Sequence, residues 1–274
     1  MAFAETVLRI LDLQMNQPQP YGWFHILSMV FTVALTAYLC VFCRKWPRNR
    51  IRVLILSTAV TVLILELYKQ INFSFSYENG ITFDYAWYAF PFQFCSTPMY
   101  IGLIAGLTKK GTVHNAACAY LATYALFAGI CVMLYPTTVF IGTIGINIQT
   151  MFCHGSMIVI GVFLLCSGYV KPEGKAILHG MPVFGICVLI AATMNEIAYR
   201  TGLLKTDTFD MFFISPYTDP SLPVYSIVQK AVPFPWSLIL YILGFSLAAY
   251  LILLIAMGIT RLINKRNQAA IVAK

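Results

Sequence analysis

The sequence predicts an all-α, polytopic membrane helical bundle of about seven transmembrane helices, N-terminus outside and C-terminus cytoplasmic. Three observations predict it. Of 274 residues, 59% are hydrophobic and 10% are charged, whereas a soluble domain carries about 25% charged residues. Seven apolar runs each approach the roughly 20 residues that a bilayer core requires. Basic residues gather in alternate loops between those runs. The net charge of +8 therefore reads as an orienting signal in a membrane, not as a surface for nucleic acid.

Residues 1–20 read as an interfacial segment. Phe3, Val7, Ile10 and Leu11 recur at helical spacing beside Glu5, Arg9 and Asp12, which describes an amphipathic helix over Ala2–Asn16 ended by Pro18 and Pro20. It lacks the form of a cleavable signal. Residues 21–262 then hold the transmembrane domain, with spans Trp23–Cys43, Ile51–Ile71, Pro91–Leu107, Val113–Leu134, Ile146–Gly168, Ala176–Tyr199 and Trp236–Thr260. The fourth span is long enough for a full crossing rather than a re-entrant piece. Residues 263–274 form a basic tail.

Orientation follows from the charges. Arg44, Lys45, Arg48, Arg50, Arg52, Lys109, Lys110, Lys171, Lys175, Arg261, Lys265, Arg266 and Lys274 fall on one side. Only Arg9, Lys69, Arg200, Lys205 and Lys230 fall on the other. The first side is cytoplasmic by the positive-inside rule. Glu173 is the single acidic residue there. The longest loop, 200–235, is then external, and its Asp, Pro and aromatic residues suit a lid over a site that opens outward.

All eight cysteines lie in or beside apolar runs, so a disulfide framework is not expected. Ionisable and amide groups inside a membrane are costly and call for a reason. Here His25, Glu66, Lys69, Gln70, Gln93, Cys95, Asn147, Gln149, His154, Asn195 and Glu196 all fall in the outer half of their spans. Each also has a plain structural account. Glu66 and Lys69, three apart, make a helical ion pair, as do Glu196 and Arg200 at i, i+4. His25 suits an interfacial histidine, and Gln93, Asn147 and Asn195 suit hydrogen-bond glue between helices. The Gly102-x-x-x-Gly106 spacing reads as a close-packing surface.

Cys95 stands in Phe90-Pro91-Phe92-Gln93-Phe94-Cys95-Ser96-Thr97-Pro98, just inside a helix expected to begin at Pro91 and to kink at Pro98. His154 stands in Met151-Phe152-Cys153-His154-Gly155-Ser156. At 1.5 Å per residue, the two lie roughly 6 and 12 Å below the outer ends of their helices. A thiol beside a histidine is a nucleophile–base pairing, and burial equally explains a lone cysteine.

Phe90-Pro91-Phe92-Gln93-Phe94-Cys95 resembles the LPLQLC-like segment of the YwaF-like bacterial integral membrane proteins. Phe152-Cys153-His154-Gly155, preceded by Tyr135-Pro136, is similar to that family's histidine segment. Phe212–Pro216 with Pro233-Phe234-Pro235-Trp236 is similar to its ending. The likeness spans roughly His25 to Ile255. That family is similar to the eukaryotic transmembrane protein 164 family of cysteine-dependent phospholipid acyltransferases. It is more remotely similar to the androgen-induced family of lipid-ester hydrolases. The resemblance implies Cys95 as nucleophile and His154 as general base, with membrane phospholipids as partners and no cofactor. It also places His25 at the histidine usual in the first span. Phe209-Asp210-Met211 departs from the family's Asn-Tyr before Met, which puts any lid or lipid contact there in question.

The leading expectation is a membrane-embedded lipid acyltransferase or lipid-ester hydrolase in the cell membrane. Catalysis falls to Cys95 and His154; His25, Glu66, Lys69, Gln70, Gln93, Asn195 and Glu196 line its substrate site. The alternative is a non-enzymatic receptor or transporter with an outward-opening polar pocket. Against it, receptor signatures, a lysine in the last span and repeated halves are all missing. A metal site from His25, His154, Glu66 and Glu196 finds no supporting spacing.

Overall fold

The computed structural model describes residues 2–78, 80–136, 139–202, 209–219, 222 and 224–272, without the side chains of residues 2 and 262–272. Lys205, placed outside by its sequence position, lies beyond the described residues, as do Ala273 and Lys274 of the basic tail. The helices are α1 (Ala2–Leu11), α2 (Trp23–Cys43), α3 (Arg48–Ser74), α4 (Thr97–Leu107), α5 (Thr112–Leu134), α6 (Ile144–Cys166), α7 (Lys175–Thr201), α8 (Tyr225–Ala231) and α9 (Trp236–Val272). A small antiparallel hairpin, β1 (Phe75–Ser76) with β2 (Thr82–Phe83), follows α3.

The chain is a polytopic all-α bundle. Among the described residues, six helices are long and apolar enough to cross a membrane: α2, α3, α5, α6, α7 and the Trp236–Arg261 part of α9. The third predicted span differs. Its helix, α4, has 11 residues and begins at Thr97, not Pro91, so it rises roughly 16 Å, about half a hydrocarbon core. Cys95 therefore precedes the helix, and Pro98 sits in the first turn, where no backbone donor is needed. The lead-in instead turns on itself through Phe92 N–H to Phe90 O (2.7 Å) and Ser96 N–H to Gln93 O (2.9 Å). Such irregular backbone suits a membrane protein only where protein surrounds it, and Phe94, Ser96 and Thr97 are buried.

The N-terminal helix also differs from expectation, ending at Leu11 rather than Asn16. Beyond it the chain becomes a strap. Met15 N–H bonds Gly142 O (2.7 Å) and Ile144 N–H bonds Leu13 O (2.9 Å). The Asp12 carboxylate accepts from Tyr77 (2.8 Å) and Thr143 (3.1 Å), and Tyr68 donates to Leu11 O (2.6 Å). These long-range partners outcompete one more turn of helix.

Helix ends meet as the charge pattern requires. At the basic end, the Arg52 guanidinium caps the carbonyls of Gly106 and Thr108 at the C-terminus of α4, both at 2.9 Å. There Arg48 also lies over the Tyr169 ring at 4.5 Å. The strap, the hairpin and the 209–219 loop gather at the opposite end.

The centre belongs to α5 and α6, whose apolar windows are 72% and 67% buried, against 17% for α2 and 28% for α3. The outer helices turn Ile26, Val30, Val53, Ile64, Leu247 and Leu251 outward, a surface that only lipid covers at low cost. Glycines set the closest approaches. A Cβ at Gly106 lands 2.6 Å from Leu56 Cβ, and one at Gly102 lands 2.9 Å from Ala59 Cβ, so the Gly102–Gly106 pair does pack α4 on α3. Gly106→Ala is expected to cost about 1–3 kcal/mol through overpacking, read as a lower unfolding temperature. Gly244→Ala on α9, where nothing lies within 4 Å, is expected to leave that temperature level or raised.

Candidate functional site

Glu66 on α3 is a polar centre in the half of the bundle nearer the strap. It is almost fully buried, and a carboxylate so placed needs compensation. Lys69 Nζ stands 2.7 Å from Oε1. Gln70 Nε2 donates to Oε1 at 2.9 Å and Gln149 Nε2, from α6, donates to Oε2 at 3.2 Å. Gln70 also donates to Ala89 O (2.8 Å) and accepts from Tyr85 (2.7 Å), so the network ties α3 to the segment that leads into Cys95.

Cys95 is half-buried in that lead-in. Its carbonyl accepts from the Cys153 thiol of α6 at 3.5 Å, and both residues line a cleft between α3, α4, α5 and α6. Lys69 lies within electrostatic reach of Cys95, Cys153 and His154, and Glu66 within reach of the two cysteines. His154 places Nδ1 2.8 Å from Thr150 O. A carbonyl only accepts, so Nδ1 carries the proton and Nε2 keeps the lone pair that a general base uses. Among the described residues no hydrogen bond joins the Cys95 thiol to the His154 ring. The structure thus brings Glu66, Lys69, Gln70 and Cys95 into one neighbourhood, while His154, one residue on from Cys153, is not among the residues that line the cleft.

The other four predicted site residues have separate tasks. His25, fully buried, accepts the Tyr21 N–H on Nδ1 (2.9 Å), which leaves Nε2 to donate to Met133 O (3.0 Å). It pins the start of α2 to the end of α5. Gln93 donates to Asp210 O (2.8 Å) and accepts from Phe212 N–H (2.9 Å). Asn195 grips Met211 in the same way, donating to its carbonyl (3.0 Å) and accepting from its N–H (2.8 Å). Glu196 pairs with Arg200 and accepts from Tyr217 at 2.5 Å, toward the surface.

The two amides hold a strained loop. Phe212 and Phe213 have φ of 62° and 56°, a left-handed conformation uncommon for residues with a Cβ. Phe212 repays this by stacking on Phe94 at 5.6 Å, with Tyr241 donating to its carbonyl. Asn195→Leu keeps the volume and orphans both polar groups of Met211. About 2–4 kcal/mol of local stability is expected to go, read as faster amide exchange at Met211 and Phe212.

Asp210 closes the loop, its carboxylate accepting from Ser215 N–H and Thr218, both within 2.9 Å. Burial raises its pKa above the ordinary carboxylate value, against those bonds. With the folded value above the unfolded one, Asp210's contribution is fully present below about pH 4 and is lost as pH rises through the folded value. Loop exchange is expected to slow on acidification across that window, and Asp210→Asn is expected to remove the dependence.

Cys153 is the residue whose importance the sequence concealed, since it reads there as one small hydrophobe among eight. The signal lay in spacing: Cys153, Ser156 and Ile160 recur at i, i+3, i+7, one stripe of α6 facing the cleft. All eight cysteines are free. Among the described residues no group of three or more His, Cys, Asp or Glu side chains is placed to hold a metal.

Comparison with curated proteins and with solved structures found no match. Residues 20–258 match the TMEM164 family. That stretch runs from the strap through the lead-in of Cys95, the Glu66 network and α6 to the last span, so the chain is a multi-pass membrane protein that belongs to the TMEM164 family.

Proposed function

We propose that this protein is a lipid acyltransferase or lipid-ester hydrolase of the cell membrane, using Cys95 as nucleophile and His154 as base in a site that opens toward the outer leaflet. The observation that carries the reading is a thiol at the mouth of an apolar cleft beside a buried ion pair. Cys95 lines the cleft, the Glu66–Lys69 pair lies within electrostatic reach, and His154 keeps a free Nε2 lone pair on α6, the helix that also carries Cys153.

In this reading a phospholipid enters sideways. His154 Nε2 takes the Cys95 proton, and the sulfur attacks the ester carbonyl. The C–S bond forms, the C–O bond breaks, and the departing alkoxide takes the proton from His154. An acceptor hydroxyl, or water, then reverses the steps and restores the thiol. The Cys95–His154 hydrogen bond forms with lipid present, as catalytic contacts commonly tighten in the complex. Lys69 offers its ammonium to the oxyanion or the phosphate, and Glu66 and Gln70 hold it in place.

The test is mass spectrometry of the full chain in nanodiscs with acyl-labelled phospholipid. The expected product is an acyl mass on the Cys95 peptide that hydroxylamine removes. No adduct, together with unchanged turnover in Cys95→Ala, would sink the proposal.

A further inference from the structure

We infer that the cleft below Cys95 is an acyl-chain slot that measures chain length, with Ile55 and Ile160 as its inner stop. This deepens the acyl-transfer reading and rests on it only for the identity of the ligand, the fatty chain of a lipid ester.

The direction of the cleft follows from the helices that wall it. α3 runs toward the strap end and α6 runs away from it. Val62 and Cys153 therefore share the level of Cys95, while Ile55 and Ile160 lie at the far end. Seven residues of helix from Ile55 to Val62 span roughly 10 Å, about the length of eight extended methylenes. The walls are apolar apart from Thr58 and Ser156, and the Ser156 hydroxyl is already bonded to Cys153 O at 2.8 Å. The back is closed where α4 touches α3 at Gly102 and Ala59.

Polarity changes once along this path. The Glu66–Lys69 pair and Gln70 stand near the thiol, and toward Ile160 the lining is hydrocarbon apart from the Thr58 and Ser156 hydroxyls. A lipid ester has that polarity, with its carbonyl at the boundary. The free volume is about 30 Å³, near one water's share of liquid, so a chain enters by moving side chains. Met99 and Met157 flank the path, and unbranched thioethers rearrange more readily than the branched residues beyond them.

The experiment labels Cys95 in the full chain, in nanodiscs, with alkyl methanethiosulfonates graded from methyl to dodecyl. The thiol attacks the sulfenyl sulfur, an S–S bond forms, methanesulfinate leaves and buffer takes the proton. Peptide mass spectrometry gives the rate at Cys95 relative to Cys131, an exposed thiol on α5 that reports partitioning into the bilayer. The expected ratio peaks near eight carbons. Ile160→Ala is expected to move the peak about two carbons longer, and Ile160→Phe shorter, as the inner end gains or loses volume.

A ratio independent of chain length, or a peak that neither variant moves, overturns the slot. Labelling as expected without any phospholipid-derived thioester keeps the slot and removes the acyl-transfer reading. A thioester on Cys95 whose chain distribution neither variant moves overturns the slot alone.

Discussion

Cys95→Ala is expected to lower lipid turnover by at least about 10³-fold, since removal of a catalytic nucleophile leaves only the contribution of binding and electrostatics. The loss should fall on kcat with KM little changed, because the thiol bonds the substrate only as the reaction proceeds. His154→Gln is expected to cost about 10²–10⁴-fold, the usual worth of a general base, and to flatten the pH dependence of turnover. Cys131→Ala, on an exposed face of α5, should keep full activity. Folding separates from chemistry here. Cys95 is half-buried and the side-chain partner of its thiol is the adjacent Ser96, so no contact between helices goes with the sulfur and the Ala variant should unfold within about 1 kcal/mol of the parent, at the low end of core truncations. Turnover that survives Cys95→Ala within threefold would exclude covalent catalysis at this residue.

The bundle was legible in the sequence because lipid imposes a simple rule. Apolar runs must be long, and loop charges must alternate, so six of the seven predicted spans coincide with long helices. The exception, the Pro91 segment, shows where the rule ends. Hydropathy registers that residues 91–107 are apolar, and it does not register that turns at Phe92 and Ser96 satisfy the backbone before Thr97. The Glu66–Lys69 pair was legible because its partners are three residues apart. The roles of Gln93 and Asn195 were not. An amide in a membrane span bonds whatever the fold brings to it, here a loop 117 residues away for Gln93, and one sequence does not encode that meeting in any local pattern. Cys153 was hidden for the same reason, since its relation to Cys95 joins a helix to an irregular segment 58 residues away.

Glu66→Leu is expected to be the most destabilising single change in the half of the bundle nearer the strap. It leaves the Lys69 ammonium without its 2.7 Å partner and strips an acceptor from both Gln70 and Gln149. Breaking one side of a buried pair costs about 3–5 kcal/mol, and the side chains of Lys69 and Glu66 are only 16% and 5% exposed, so solvent screens little of it. The double variant Glu66→Leu with Lys69→Met should recover most of that loss, because the penalty belongs to the stranded charge and not to the missing attraction. A thermal unfolding cycle over the two single variants and the double one measures the coupling. Additive losses would mean that the two charges do not depend on each other, and Glu66 would then lose its role as the anchor of Lys69. A double variant that folds near the parent stability and fails to turn over lipid would give the opposite result. It would locate the purpose of the pair in chemistry, since the bundle would have shown that it stands without a carboxylate and an ammonium buried beside the thiol.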